Sequence, residues 1–189
     1  TIVGLPDASC REARDRVRAA LLSTGLKWPD QRTTVNLAPS SFRKIGAGLD
    51  LAIAVGVLVA TDQAPATALD AAYLGELGLD GSVRRVVGAV PMAAGLPPGT
   101  LVVPPANATE AELVGRHHVR VASTLGELVA CLRGSAAWPD APLASAPVPP
   151  VLPDLAEVRG NRFARLALEV AAAGGHHLLY VGPPGAGKT

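Results

Sequence analysis

The sequence has 189 residues, with 17 Lys and Arg against 16 Asp and Glu. A net charge this close to zero excludes a global electrostatic attraction to nucleic acid or to an anionic membrane. The two cysteines, Cys10 and Cys131, lie far apart in sequence with no C-x-x-C partner, which excludes a disulfide scaffold and points to a reducing cytoplasm.

Thr1 to Val3 reads as the end of a β-branched strand, stopped by Gly4 and Pro6. Asp7 or Ser9 then caps a helix that runs to about Thr24, with Gly25 as its stop. Ala13, Val17, Ala20, Leu21 and Thr24 recur at helical spacing and form its buried stripe. Arg11, Arg14, Arg16 and Arg18 mix with Glu12 and Asp15 on the other face, which reads as solvated and salt-bridged; a DNA-facing surface is the alternative.

Arg32 to Leu37 alternates as a half-buried strand does. A loop follows with Ser40-Ser41, Arg43-Lys44 and Gly46-Ala47-Gly48. A Ser-Lys nucleophile could be read there, but a turn and a solvated patch is the preferred reading. Leu49 to Ala60 is an almost wholly apolar helix, too short to span a membrane. Asp50 falls in its first turn, where an acid favours the helix N-terminus.

Tyr73 to Leu79 reads as a strand, Asp80-Gly81 as a hairpin turn, and Val83 to Val87 as the return. Gly88 to Gly95 is a short helix, Leu101 to Val103 a strand, and Asn107 caps a helix to about Val114. Val119 to Ala122 is another strand, and Thr124-Leu125-Gly126-Glu127 is a capping box opening a helix to Arg133. Strand and helix alternate, so residues 1–133 read as one α/β domain. Neighbouring histidines His117-His118 and His176-His177 point to opposite faces of an extended chain, so surface histidine is preferred to a metal site.

Residues 134–153 hold six prolines among Ala and Ser, and read as an extended linker. Residues 154–189 then form a second module. A helix near Asn161 to Ala173 carries Phe163, Leu166, Ala167 and Val170 on one apolar stripe. The short apolar run Leu178 to Val181 is expected to be a buried strand. It feeds Gly182-Pro183-Pro184-Gly185-Ala186-Gly187-Lys188-Thr189, which fits the phosphate-binding pattern G-x-x-x-x-G-K-[ST]. Glycines let backbone N–H groups curl around phosphate oxygens. Lys188 would give a point charge to the β- and γ-phosphates of ATP, and Thr189 a hydroxyl to Mg²⁺. The helix that should follow lies beyond Thr189. Residues 176–189 are therefore expected to be poorly ordered or packed incidentally in this chain, and its ATP hydrolysis negligible.

Several stretches resemble one family. Thr1 to Asp7, Val35-Asn36-Leu37-Ala38-Pro39, Gly48 to Ala54 and Leu74 to Gly81 look like the N-terminal domain of the magnesium-chelatase-like AAA+ ATPases of bacteria, the ComM/YifB family. Val158-Arg159-Gly160, Ala171 to His176 and the phosphate loop look like the start of that family's ATPase module. Family members usually carry about thirty more residues before the position of Thr1.

The resemblance implies a Lon-protease-like, ribosomal S5-like fold for the first domain, similar also to the C-terminal domain of RadA. Lon-type peptidases need a Ser and a Lys; Gly48 and Val90 stand at those positions here, so the fold is implied without the peptidase chemistry. The family further implies a ring-forming, hexameric, ATP-driven motor acting on branched or single-stranded DNA in uptake and recombination. A magnesium-chelatase motor subunit and a Lon-like protease or chaperone are the alternatives, and a binding module without chemistry of its own is a further one.

Overall fold

The structure, a computed structural model, describes residues 1–4, 7–39, 46–141 and 154–188, with Arg11 described by its backbone alone. Ser40-Ser41, Arg43-Lys44, the prolines between 142 and 153, and Thr189 lie outside the described residues. The chain divides into two units, Thr1–Ala144 and Ser145–Thr189.

In the first unit, strand β1 (Ile2–Val3) pairs in parallel with β2 (Val35–Asn36). Between them runs helix α1 (Ala8–Ser23). Asp7 is its cap: the carboxylate accepts from Cys10 N at 2.7 Å and from Gly46 N at 3.1 Å, tying the helix start to a distant loop. Ala13, Val17, Ala20 and Leu21 are buried, as the spacing predicts, whereas Thr24 is half-buried and Cys10, outside the expected stripe, is buried too. Of the strand expected from Arg32 to Leu37, only Val35–Asn36 forms a ladder.

Helix α2 (Asp50–Ala60) packs on α1 and buries Leu51, Ile53, Ala54, Val55, Val57 and Leu58. Each of the Leu, Ile and Val side chains contributes roughly 1.5–3 kcal/mol when fully buried. The sequence pattern assigns Arg16 to a solvated face, which the fold corrects, and Asp50 to the first turn of α2, where it stands and takes on a second role. Asp50 is fully buried, and its carboxylate takes Arg16 Nε at 2.7 Å and the second guanidinium contact at 3.0 Å. The amide of Leu77 donates to the same carboxylate at 3.2 Å. The hydrogen bond to Asp50 raises the guanidinium pKa of Arg16 further above its ordinary value. Arg16 also reaches the carbonyl of Ser9 and, more loosely, Glu12.

The run from Tyr73 to Leu79 is not one strand. It splits into β3 (Ala72–Tyr73) and β4 (Glu76–Leu77), which join different sheets. The break falls at Leu74-Gly75, where Gly75 exchanges backbone hydrogen bonds with Gly48 and Leu51 instead of continuing a ladder. Strand β4 turns at Asp80-Gly81 into β5 (Val83–Arg84), as the hairpin signal predicts. Gly81 has φ +85°, and a Cβ there would lie 2.4 Å from Thr24 Cγ2.

Three parallel strands form the centre of this unit in the order β3, β6 (Gly99–Val103), β7 (His117–Val121). Side chains alternate across β6. Val102 joins the core of α1, α2 and α5 (Leu125–Leu132). Leu101 and Val103 join a second core with α3 (Ala89–Gly95) and α4 (Ala108–Glu112). A mixed α/β unit with helices covering both faces of parallel strands results.

Two capping expectations are refined. Thr124 accepts from Glu127 N, but Glu127 returns to Ser123 N at 2.6 Å, one residue earlier than in the usual box. Asn107 precedes α4 without capping it. Its buried amide instead pairs with both backbone groups of Val86, at 2.9 and 3.0 Å, and donates to Glu110. Hydrogen bonds from Arg85 and then Asn107 hold Glu110 below the usual carboxylate range. His117 is half-buried rather than on the surface, with Nε2 donating to the carbonyl of Ala93 at 2.8 Å, while His118 is exposed. Both cysteines are buried and free, and desolvation pushes both thiols up, which fits a structural role.

Two outcomes follow from this packing. Arg16→Met leaves the Asp50 carboxylate buried without a countercharge and is expected to lower stability by about 3–5 kcal/mol in urea unfolding followed by tryptophan fluorescence. A loss below about 1 kcal/mol, the scale of an exposed pair, would contradict the buried pairing. Gly81→Ala combines a left-handed backbone with a clash on Thr24 and is expected to cost about 1–3 kcal/mol in the same assay.

Candidate functional site

The described part of the second unit begins with Asp154, whose carboxylate accepts from Ala156 N at 2.8 Å and caps a single turn, Leu155–Glu157. Helix α6 (Arg162–Gly174) follows. Its C-terminus closes with Gly175, and His176 N bonds to the carbonyl of Ala171 at 2.8 Å. The chain then runs back along the helix, and Tyr180 OH donates to the carbonyl of Ala164 at 2.5 Å.

The expected strand from Leu178 to Val181 does not form; these residues belong to no ladder. A strand exists only through hydrogen bonds to a neighbouring backbone, and none of the described residues pairs with this run. The expected apolar stripe of α6 is present but outward: Phe163 is 90% exposed, Leu166 56% and Val170 59%. The covered side of the helix is the neighbouring one, with Ala171 buried and Ala164 and Leu168 facing a cavity.

The glycine-rich residues Gly182 to Lys188 form an exposed turn, and Ala186 N donates to the carbonyl of Pro183 at 3.3 Å. Gly185 and Gly187 take φ +79° and +70°, where a side chain would be strained. Lys188 curls over the loop: Nζ donates to the carbonyls of Gly182 at 3.0 Å and Pro183 at 2.7 Å. The ammonium thus lies on the loop's own carbonyls.

Lys188 also lines a cavity of about 310 Å³. Leu155, Val158, Leu168, Tyr180 and Val181 give it apolar walls, and Asn161 and Arg165 add polar groups. The lining thus combines the Lys188 ammonium with a largely apolar wall. Arg165 is paired with Glu169 at 2.9 Å. The sequence motif located the loop; it gave no sign of the cavity, whose walls come from the 155–158 turn, α6 and the run before the loop. Among the described residues, no group of three His, Cys, Asp or Glu could hold a metal ion. No described helix is long and apolar enough to cross a membrane.

Residues 1–107 match the family model described as subunit ChlI of Mg-chelatase, and residues 154–189 match magnesium chelatase, subunit ChlI. An uncharacterized protein of Mycobacterium tuberculosis is 46% identical over 194 residues, covering 100% of this chain and 38% of its own length. The competence protein ComM of Haemophilus influenzae is 41% identical over 200 residues, covering 100% and 39%. The uncharacterized protein YifB of Escherichia coli is 39% identical over 192 residues, covering 100% and 38%. The chain therefore spans well under half the length of these relatives. With both modules matched in order, it belongs to the magnesium-chelatase ChlI family, as a protein of the ComM/YifB type.

Proposed function

We propose that this chain carries the nucleotide-binding loop and the accessory domain of a ring-forming motor, driven by ATP and Mg²⁺, that acts on branched DNA. The cavity beside Lys188 is the observation that carries the reading: it joins a cationic glycine turn to an apolar recess. The triphosphate would lie in the turn from Gly182 to Thr189, against backbone N–H groups freed by the positive φ of Gly185 and Gly187. Lys188 would leave its own carbonyls for the β- and γ-phosphates. Val158, Leu168 and Val181 would take the base. The hydroxyl of Thr189 would hold Mg²⁺, which neutralises phosphate charge when bound.

The first unit, in this reading, is a Lon-protease-like domain without peptidase chemistry. Gly48 is buried, and a Cβ there would lie 3.0 Å from Met92 Cε. A nucleophile at that position would meet a methionine, and Val90 has no amine to activate it. The DNA substrate rests on the family resemblance and on a relative named as a competence protein. The family descriptions favour a second reading, a motor subunit of a magnesium chelatase. Both readings share the nucleotide site and differ in substrate.

ATP titration of this chain tests the site. Lys188→Ala is expected to weaken binding about ten- to a hundredfold, the value of one or two charge-assisted hydrogen bonds. Unchanged affinity would remove the loop from the site. In a protein of the relatives' length carrying this stretch, the same substitution is expected to abolish phosphate release. Stimulation of that release by a four-way DNA junction, and not by a porphyrin, separates the two readings. Neither this chain nor its Gly48→Ser variant is expected to cleave unfolded casein; cleavage blocked by a serine-reactive probe would overturn the non-peptidase reading.

A further inference from the structure

The arginines of the first unit whose side chains the structure describes divide into two sets. Arg16 is held by Asp50, Arg84 by Ser82, Arg85 by Glu110, Arg116 by the carbonyl of Leu96, and Arg133 by the carbonyl of Gln63. Arg120 lies over the ring of Trp138, 6.0 Å from its centroid. Arg14, Arg18 and Arg32 have no ion pair, hydrogen bond or ring contact among the described residues, and all three are exposed. These three do not scatter. Arg14 and Arg18 are one helical turn apart on α1, and Arg14 and Arg32 line one open cavity of about 260 Å³.

That cavity also has Thr1, Trp28, Gln31 and Thr33 in its wall, with Thr1 N donating to the carbonyl of Thr33 at 2.7 Å, and no lining residue is acidic. Asp15 and Asp30 belong to the same elements but do not line it. The wall is built rather than accidental. Trp28 is half-buried against the core of α1 and α2. Its neighbour Lys27 is clamped at both backbone groups by the Gln63 amide, at 2.7 and 2.8 Å. The Lys27 side chain is exposed and adds a further cation on this loop. Two uncommitted guanidiniums beside a fixed indole give the pairing that single-stranded nucleic acid requires: forked donors for phosphate and an aromatic surface for a base. A near-neutral chain that touches DNA must do so through a local cluster of this kind.

We propose that Arg14, Arg32 and Trp28 form a contact site for one nucleotide of single-stranded DNA, with Arg18 and Lys27 extending it along the backbone. The proposal rests on the DNA reading above and gives it a surface on the accessory domain. The guanidiniums take phosphate oxygens, and the indole takes a base without regard to sequence.

The test is fluorescence anisotropy of a labelled fifteen-residue oligothymidylate titrated with the whole chain at several salt concentrations. The Arg14→Gln, Arg32→Gln double variant is compared with Arg85→Gln, which removes a committed arginine. Since both tested arginines are exposed and unpaired, urea midpoints are expected to stay unchanged, and this is checked first. The double variant is expected to bind at least tenfold more weakly at low salt. The slope of log affinity against log salt is expected to fall by about 1.4, for two phosphates on a single strand. Binding is also expected to quench tryptophan emission in Trp138→Phe but not in Trp28→Phe. If the double variant binds with wild-type affinity and slope, the site is overturned while the DNA reading stands. If the wild-type chain does not bind at low salt, the site is likewise overturned, and stimulation of phosphate release by a DNA junction in the longer protein judges the DNA reading separately. Equal binding of heparin with no response from Trp28 would reduce the patch to general polyanion attraction and overturn the nucleotide assignment.

Discussion

A carboxylate with no access to water constrains the first unit more than any other single group. Asp50 opens α2 at the point where three elements meet, and a lone charge there would be several kcal/mol uphill. Arg16 from α1 and the amide of Leu77 from β4 converge on it, so both helices and the hairpin must arrive in one relative arrangement for the charge to be tolerated. The apolar residues around it, Val17, Leu51 and Leu77, supply most of the driving force but little direction. Directional bonds to Asp50 select one packing from the several that a core of Ala, Val and Leu would accept.

The same interaction marks where the sequence stops being legible. Helix α1, its Asp7 cap, the Asp80-Gly81 hairpin and the Thr124 box are local: each is decided within about four residues by hydrogen bonds the chain makes with its neighbours. The Arg16–Asp50 pair spans 34 residues and looks, from pattern alone, like a solvated arginine and a helix-dipole acid. Asn107 misleads in the same way. Its position suits a cap, yet its amide is drawn to the Val86 backbone 21 residues earlier. The run Tyr73 to Leu79 has the composition of one strand, and only the competing bonds of Gly75 to Gly48 and Leu51 explain why it divides.

The candidate site shows a similar division. A glycine turn ending in Gly187-Lys188 is legible because its geometry is dictated by backbone freedom at adjacent positions. The recess beside it depends on a turn at residues 155–157 and a side of α6 that hydropathy does not favour. The more apolar side of that helix, with Phe163 and Val170, faces outward. Hydropathy records what a helix could bury; which side it buries depends on what packs against it.

The hold of Lys188 on Gly182 and Pro183 has a consequence for selectivity among anions. The loop carries an internal competitor for its own cation. An incoming anion must replace two short bonds already made, so it gains only the difference between old and new partners. A small anion that meets the ammonium alone gains little from that exchange. A chain of linked phosphates would gain more if, as proposed above, it also engaged the turn's backbone. Self-occupation of this kind keeps the charge from being left bare and raises the threshold against stray ions without any group dedicated to excluding them.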